Sequence, residues 1–211
     1  DELWQPKNYE NRFYGRTTLR EGLVKSRNVV TVKIVEDIGI GFTIDYLKNC
    51  GLGSKLPRDL SLSLGSNVIT PWELATAYAM FPCYGRRFEP YLIESVNQQD
   101  RGVVYGEAGG GAGGEAIIPA QTAFMLVNIM QDVVSYGTGS RARALGRPVA
   151  GKTGTSNDNR DAWFIGFTPD VLCAVWVGCD DMQPLGRGET GGHSATPIFV
   201  DFMQEALRGR S

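Results

Sequence analysis

Residues 151–170 read GKTGTSNDNRDAWFIGFTPD, and the conformation assigned to Lys152 decides the fold. Two readings compete. Gly146 to Thr153 satisfies GxxxxGK[ST], the pattern of a phosphate-cradling P-loop. That motif needs a helix directly after the Lys-Thr pair, because amides at a helix N-terminus hold the phosphates. Here GTSNDNRD follows, a poor helix start, and YGTGSRARAL ahead of Gly146 is no buried strand. The second reading makes Val149 to Thr155 an extended strand, with Gly154 making room for a close backbone approach. Lys152 then offers a positive charge to a carboxylate, Thr153 and Thr155 offer hydroxyls, and an extended peptide can pair with the strand. This is the grammar of serine acyltransferases built from S-x-x-K, S-x-N and K-T-G elements.

Around this stretch the chain is punctuated by ordinary helix and turn signals. RPVAGKTGTS, AWFIGFTP and VLCAVWVGC give three strands, and TPIFVDFMQEALRG gives a closing helix begun by Thr196-Pro197. Upstream, PAQTAFMLVNIMQDVVSYG is helical, and Thr70 caps a further helix with Pro71 and Glu73 in its first turn. PYLIESVNQQDRGVVYG alternates about an Asp-Arg-Gly turn and predicts a hairpin. LPRDLSLSLGSN is loop-like, while FTIDYLKNCGLG predicts a short helix ended by Gly51. Residues 17–38 carry Leu19, Leu23, Val30, Ile34 and Ile38 at helical spacing. Helices, then three consecutive strands, then a helix fit an α+β fold with an antiparallel sheet. GEAGGGAGGEA at 106–116 reads equally as a flexible linker or a replaced loop, and it separates residues 1–105 from 117–211. Trp72, Phe81, Trp163, Phe164, Phe167 and Trp176 sit in apolar runs as core residues, with Trp176 on a half-exposed face.

Composition narrows the function. The 211 residues carry 21 basic and 23 acidic side chains, for a net charge of -2, which argues against a nucleic-acid surface. No apolar run reaches the ~18 residues of a membrane helix, and DELWQPKNYE is no signal peptide, so any anchor lies outside these residues. Cys50, Cys83, Cys173 and Cys179 show no CxxC spacing, and one histidine gives no zinc-finger pattern. Extended, Cys173 and Cys179 stand about 20 Å apart and cannot bond to each other.

S-x-N occurs twice. Ser95-Val96-Asn97 falls in the hairpin and reads as structural, whereas Ser26-Arg27-Asn28 falls where a break in the 17–38 helix would aim both polar side chains into a cleft. His193, in a Gly-Gly-His-Ser loop, and the carboxylates Asp158 and Asp161 read as structural groups.

Taken together, TLREGLVKSRNVVTVKI, LSLGSNVITPWELATAYAMFPCYG, GKTGTSNDNRDAWFIGFTPD and TGGHSATPIF resemble the transpeptidase domain of class A penicillin-binding proteins, the 1A family. The resemblance implies a β-lactamase-like α+β fold, with a five-stranded antiparallel sheet flanked by helices and KTGT on an inner-edge strand. It implies acyl transfer from a D-Ala-D-Ala stem peptide through a serine acyl-enzyme, trapping by β-lactams, and no cofactor or metal. Residue by residue, it makes Ser26 a proton shuttle and Asn28 the holder of the catalytic lysine and the substrate carbonyl. Lys152 becomes the source of positive field, Thr153 and Thr155 the carboxylate ligands on either side of Gly154, and the Thr155 N–H an oxyanion donor. It also implies an extracytoplasmic, periplasmic location.

One departure matters. None of the serines is followed by lysine three positions on. The nucleophile and its lysine are therefore expected upstream of Asp1, with the membrane anchor, and the chain alone is expected to be inactive. Apolar surface left for the absent part makes homo-oligomers or domain exchange an expectation. The competing functions are a catalytically silent scaffold and the P-loop protein.

Overall fold

The helical first third breaks at the S-x-N serine. In this computed structural model, which describes residues 4–53, 55–100, 102–105 and 114–210, Leu19–Val24 form α1 and Asn28–Ile38 form α2. The Thr18 hydroxyl caps α1 by accepting the Glu21 N–H at 3.1 Å. At its other end, Ser26 N–H donates to Leu23 O at 3.2 Å and Arg27 N–H to Gly22 O at 2.8 Å. These are the two bonds of a Schellman ending, which places Ser26 at the left-handed position usually held by glycine. Its φ is +53°. Gly22 leaves room for Val30, so α1 and α2 pack closely across the break.

Gly39, at φ +88°, separates α2 from α3 (Ile40–Asn49). Where a loop was expected, Leu60–Leu64 form a 3₁₀ turn, started by the Asp59 carboxylate accepting the Ser61 N–H at 2.9 Å. The reciprocal bonds between Thr70 and Glu73 start α4 (Pro71–Ala79) as a full capping box. Short strands β1 (Arg86–Arg87), β2 (Val96–Gln98), β3 (Gly102–Tyr105) and β4 (Glu115–Ala116) follow. β2 and β3 make the predicted hairpin, and β1 pairs with β4. Most of the glycine tract, residues 106–113, lies outside the described residues.

Helix α5 (Ala120–Ser135) then packs along β5 (Ala150–Thr155), the first strand of a sheet ordered β5, β6 (Asp161–Phe167), β7 (Leu172–Gly178). Both pairings are antiparallel. Among the described residues this sheet has three strands of the five that the resemblance implies for a whole domain, and the other described strands pair in two-stranded ribbons. Helix α6 (Thr196–Ala206) covers β6 and β7, with Phe199 edge-on to Phe164 at 4.7 Å between ring centres. Both rings are fully buried, with Met203 beside them.

Phe164 and Phe167 are core, as expected, and Phe81 and Trp163 are half-buried. Trp72 is not core: at the first turn of α4 it is 49% exposed. Trp176 is 41% exposed and donates its Nε1–H to Asp161 at 2.9 Å, so Asp161 anchors neighbouring strands as a structural carboxylate. All four cysteines are free. No helix among the described residues is long and apolar enough to cross a membrane.

Candidate active site

Strand alternation gives β5 two working faces. Gly151, Thr153 and Thr155 share one side, and Lys152 and Gly154 share the other. β6 covers one edge of β5, and no described strand covers the opposite edge. Just beyond the strand, Ser156 donates its N–H to Asp161 O at 3.0 Å, toward β6. By alternation the Thr155 N–H turns to the uncovered edge.

Lys152 therefore sits inside a strand, followed by three more strand residues and a short 3₁₀ turn at Asn157–Asn159. Gly146 ends another 3₁₀ turn with φ +71°. No helix N-terminus stands where a P-loop needs one, so the nucleotide-binding reading of Gly146 to Thr153 is corrected.

The structure brings Lys152 to Ser26. Lys152 Nζ donates to Ser26 Oγ at 2.8 Å and to the Thr153 carbonyl at 2.9 Å. The left-handed turn at Ser26 is what carries its hydroxyl out of the helical path toward β5. Lys152 is half-buried, and no described carboxylate lies within ion-pair distance of it. Desolvation of the ammonium pulls its pKa from 10.5 down to about 8.

Asn28 meets the segment that precedes α1. Its side-chain N–H donates to Lys7 O at 3.0 Å, and Asn8 Oδ1 accepts the Val29 N–H at 3.2 Å, so the segment before α1 straps the start of α2. Arg27 reinforces the strap, its guanidinium lying 3.2 Å from the centre of the Tyr14 ring. Asn28 Oδ1 accepts no hydrogen bond from a described side chain or backbone group.

The threonines find partners that sequence reasoning missed. Thr155 Oγ1 accepts the Gly191 N–H at 3.1 Å, and Thr153 Oγ1 lies 2.6 Å from Thr138 Oγ1. Thr138 follows α5 in a Gly137-Thr138-Gly139 turn, and neither glycine has room for a Cβ: one would strike Val24 O and Val133, the other Phe164 and Val133. Thr138 also donates its N–H to Val24 O at 3.4 Å, tying the turn to the end of α1. Lys25 adds a bond from Nζ to Tyr136 O at 2.7 Å. The only trace of this in the sequence is the Gly-Thr-Gly composition, which signals a turn and not a site.

Gly191 begins a wide π-type turn, Gly191–Ala195, that runs into α6. A side chain at Gly191 would land on the carbonyls of Trp163 and Gly154, so the close backbone approach is required of Gly191, whereas a side chain at Gly154 would meet the Trp163 side chain before any backbone. His193, in the same turn, stands 54% exposed by its side chain, with Nδ1 3.3 Å from Glu189. The second S-x-N, at Ser95 to Asn97, lies in the β2–β3 ribbon, where Asn97 pairs with Val103.

What the arrangement offers is a row of hydroxyls beside a cation and an open strand edge. Comparison with known proteins points the same way. Residues 2–204 match the model of the penicillin binding protein transpeptidase domain. Penicillin-binding protein 1A of Neisseria gonorrhoeae is 42% identical over 213 residues, covering 99% of this chain and 27% of the relative. The Pseudomonas aeruginosa protein of the same name is 36% identical over 259 residues, covering 100% of this chain and 32% of the relative. The chain thus spans about a quarter to a third of the length of these curated relatives. The crystal structure of penicillin-binding protein 1A from Haemophilus influenzae superposes with a TM-score of 0.91 at 28% identity, covering 100% of this chain and 37% of that one. A penicillin-binding protein of Mycobacterium tuberculosis in complex with penicillin V shares the fold, with a TM-score of 0.83 at 24% identity, covering 97% of this chain and 60% of that one.

Proposed function

The chain belongs to the penicillin-binding protein transpeptidase family, and from that premise we propose that it forms part of a serine D,D-transpeptidase that cross-links peptidoglycan stem peptides. The observation that carries the reading is the Lys152–Ser26 contact, which joins a KTGT strand to an S-x-N turn. In this reading residues 1–105 contribute S-x-N, residues 117–211 contribute KTGT, and both belong to one domain. The nucleophilic serine and its lysine are supplied by a segment outside these 211 residues, which hold no S-x-x-K.

The serine of that segment attacks the carbonyl carbon between two D-alanines, and the C–N bond breaks. Ser26 passes a proton to the departing amine, because Lys152 donates to its oxygen and leaves its hydrogen free. The Thr155 N–H, at the uncovered edge of β5, stabilises the oxyanion. An amine of a neighbouring stem peptide then attacks the acyl-enzyme and releases the serine. Asn28 Oδ1 accepts from the nucleophile's lysine. One of its two amide hydrogens is given to Lys7 O, which leaves the other for the substrate carbonyl that the resemblance assigned to Asn28. Thr153 and Thr155 bind the terminal carboxylate. A β-lactam is held in the same way and stays as the acyl-enzyme. Such a protein acts on the periplasmic face of the cell membrane, anchored through another segment.

The test is intact mass after excess penicillin. The chain joined to its S-x-x-K segment gains one penicillin on that serine, whereas the 211 residues alone gain none. An adduct on the chain alone overturns the division of labour. A folded, joined protein without adduct replaces the enzyme with a catalytically silent scaffold. Sedimentation of the chain alone tests self-association; the exposed Leu19, Phe124 and Ile198 favour it over a monomer.

A further inference from the structure

Three hydroxyls, those of Ser26, Thr153 and Thr155, each meet a polar group. Ser26 Oγ receives a hydrogen from the Lys152 ammonium, and Thr155 Oγ1 receives one from the Gly191 amide. Neither donor is able to accept, so the direction of both bonds is forced, and both hydroxyl hydrogens are left free. The third pair, Thr138 and Thr153, joins two hydroxyls at 2.6 Å, and here the direction is open. A carboxylate decides it: an anion accepts only, so a hydroxyl beside it must donate.

We propose that Thr138 is a positioning residue for carboxylate recognition, donating its hydroxyl hydrogen to Thr153 so that Thr153 donates its own to the terminal carboxylate of the stem peptide or β-lactam. This rests on the reading of Thr153 and Thr155 as carboxylate ligands given above. Thr138 is then to Thr153 what the Gly191 amide is to Thr155: a donor behind a donor, each bond polarising the next. The geometry supports a fixed role. The turn is held on one side by Val24 O and on the other by Gly192, where a side chain would meet the Thr138 carbonyl. Thr138 is itself exposed, so it fills no core position and its hydroxyl is the part of it that the site uses.

The test uses the protein that carries this chain together with its nucleophile. Rates of acylation by benzylpenicillin and by benzylpenicillin methyl ester, whose carboxylate is masked, are measured for wild type, Thr138→Val and Thr138→Ser. The valine variant slows the free acid about 10-fold or more, leaves the ester unchanged within about 2-fold, and the serine variant restores the free-acid rate. Equal slowing of acid and ester, or a valine variant that keeps the wild-type preference for the acid, overturns the proposal. A wild-type protein that penicillin does not acylate removes the transpeptidase reading itself, and Thr138 then has no carboxylate to serve.

Discussion

Lys152 Nζ and Ser26 Oγ stand 2.8 Å apart although 126 residues separate them in the chain. Neither residue is placed by its own element alone. Ser26 reaches the contact through a left-handed helix ending, and Lys152 through the register of β5 against β6, where it lies opposite Ile165. The contact is therefore a joint product of the helical part and the sheet.

Replacing Lys152 by Met removes the cation that meets Ser26 while keeping a long side chain. Acylation by penicillin in the protein bearing the nucleophile falls by about 10²-fold or more. Rates from stopped-flow or timed intact-mass measurements check this, and a variant within about 3-fold of wild type would place the positive field elsewhere.

Acylation also falls as pH rises through about 8, where Lys152 loses its proton. Stability moves the other way. The folded pKa is about 8 and the ordinary value 10.5, so between them the unfolded chain binds more protons and the folded state gains with rising pH. Below about 8 the cost of desolvating the ammonium is fully present. Urea midpoints rise across that window in wild type and lose this rise in Lys152→Met. A flat wild-type profile would contradict the desolvation.

At Ser26 stability and activity pull apart. A left-handed conformation costs an L-residue about 1 kcal/mol, and glycine is free of that cost. Ser26→Gly is expected to leave the unfolding free energy unchanged or raised by up to about 1 kcal/mol, and to lose acylation. A large drop in melting temperature would show instead that the Lys152 bond outweighs the backbone strain.

Gly191→Ala tests the donor behind Thr155. Its Cβ would meet the carbonyl oxygens of Trp163 and Gly154, so the turn must shift, at a cost of about 1–3 kcal/mol. The Gly191 N–H then leaves Thr155, and binding of carboxylate-bearing β-lactams weakens more than that of esters. An unshifted melting temperature would mean that the turn yields freely.

The elements were legible wherever a local rule governed them. Thr70, Pro71 and Glu73 announced α4, Thr196-Pro197 announced α6, and turn residues between apolar runs marked the three strands of the sheet. The break at Ser26 was readable only as a polar interruption, because the left-handed ending there uses serine where glycine is the usual signal. Lys152, Thr153 and Thr155 were recognisable as a motif, whereas Thr138 and Gly191 were not. Their partners lie 15 and 36 residues away, and hydroxyl and amide donors follow no periodicity. The exposure of Trp72 was equally hidden, since an apolar run does not say which helical face it buries.

The uncovered edge of β5 also bears on solubility. A bare strand edge is a template on which a second copy can zip up, and folded proteins commonly guard such edges with a lysine. Lys152 stands on this one. The charge needed for chemistry thus doubles as a gatekeeper against edge-to-edge stacking, and its loss at alkaline pH or in Lys152→Met would leave the protein more prone to aggregate even where it is no less stable.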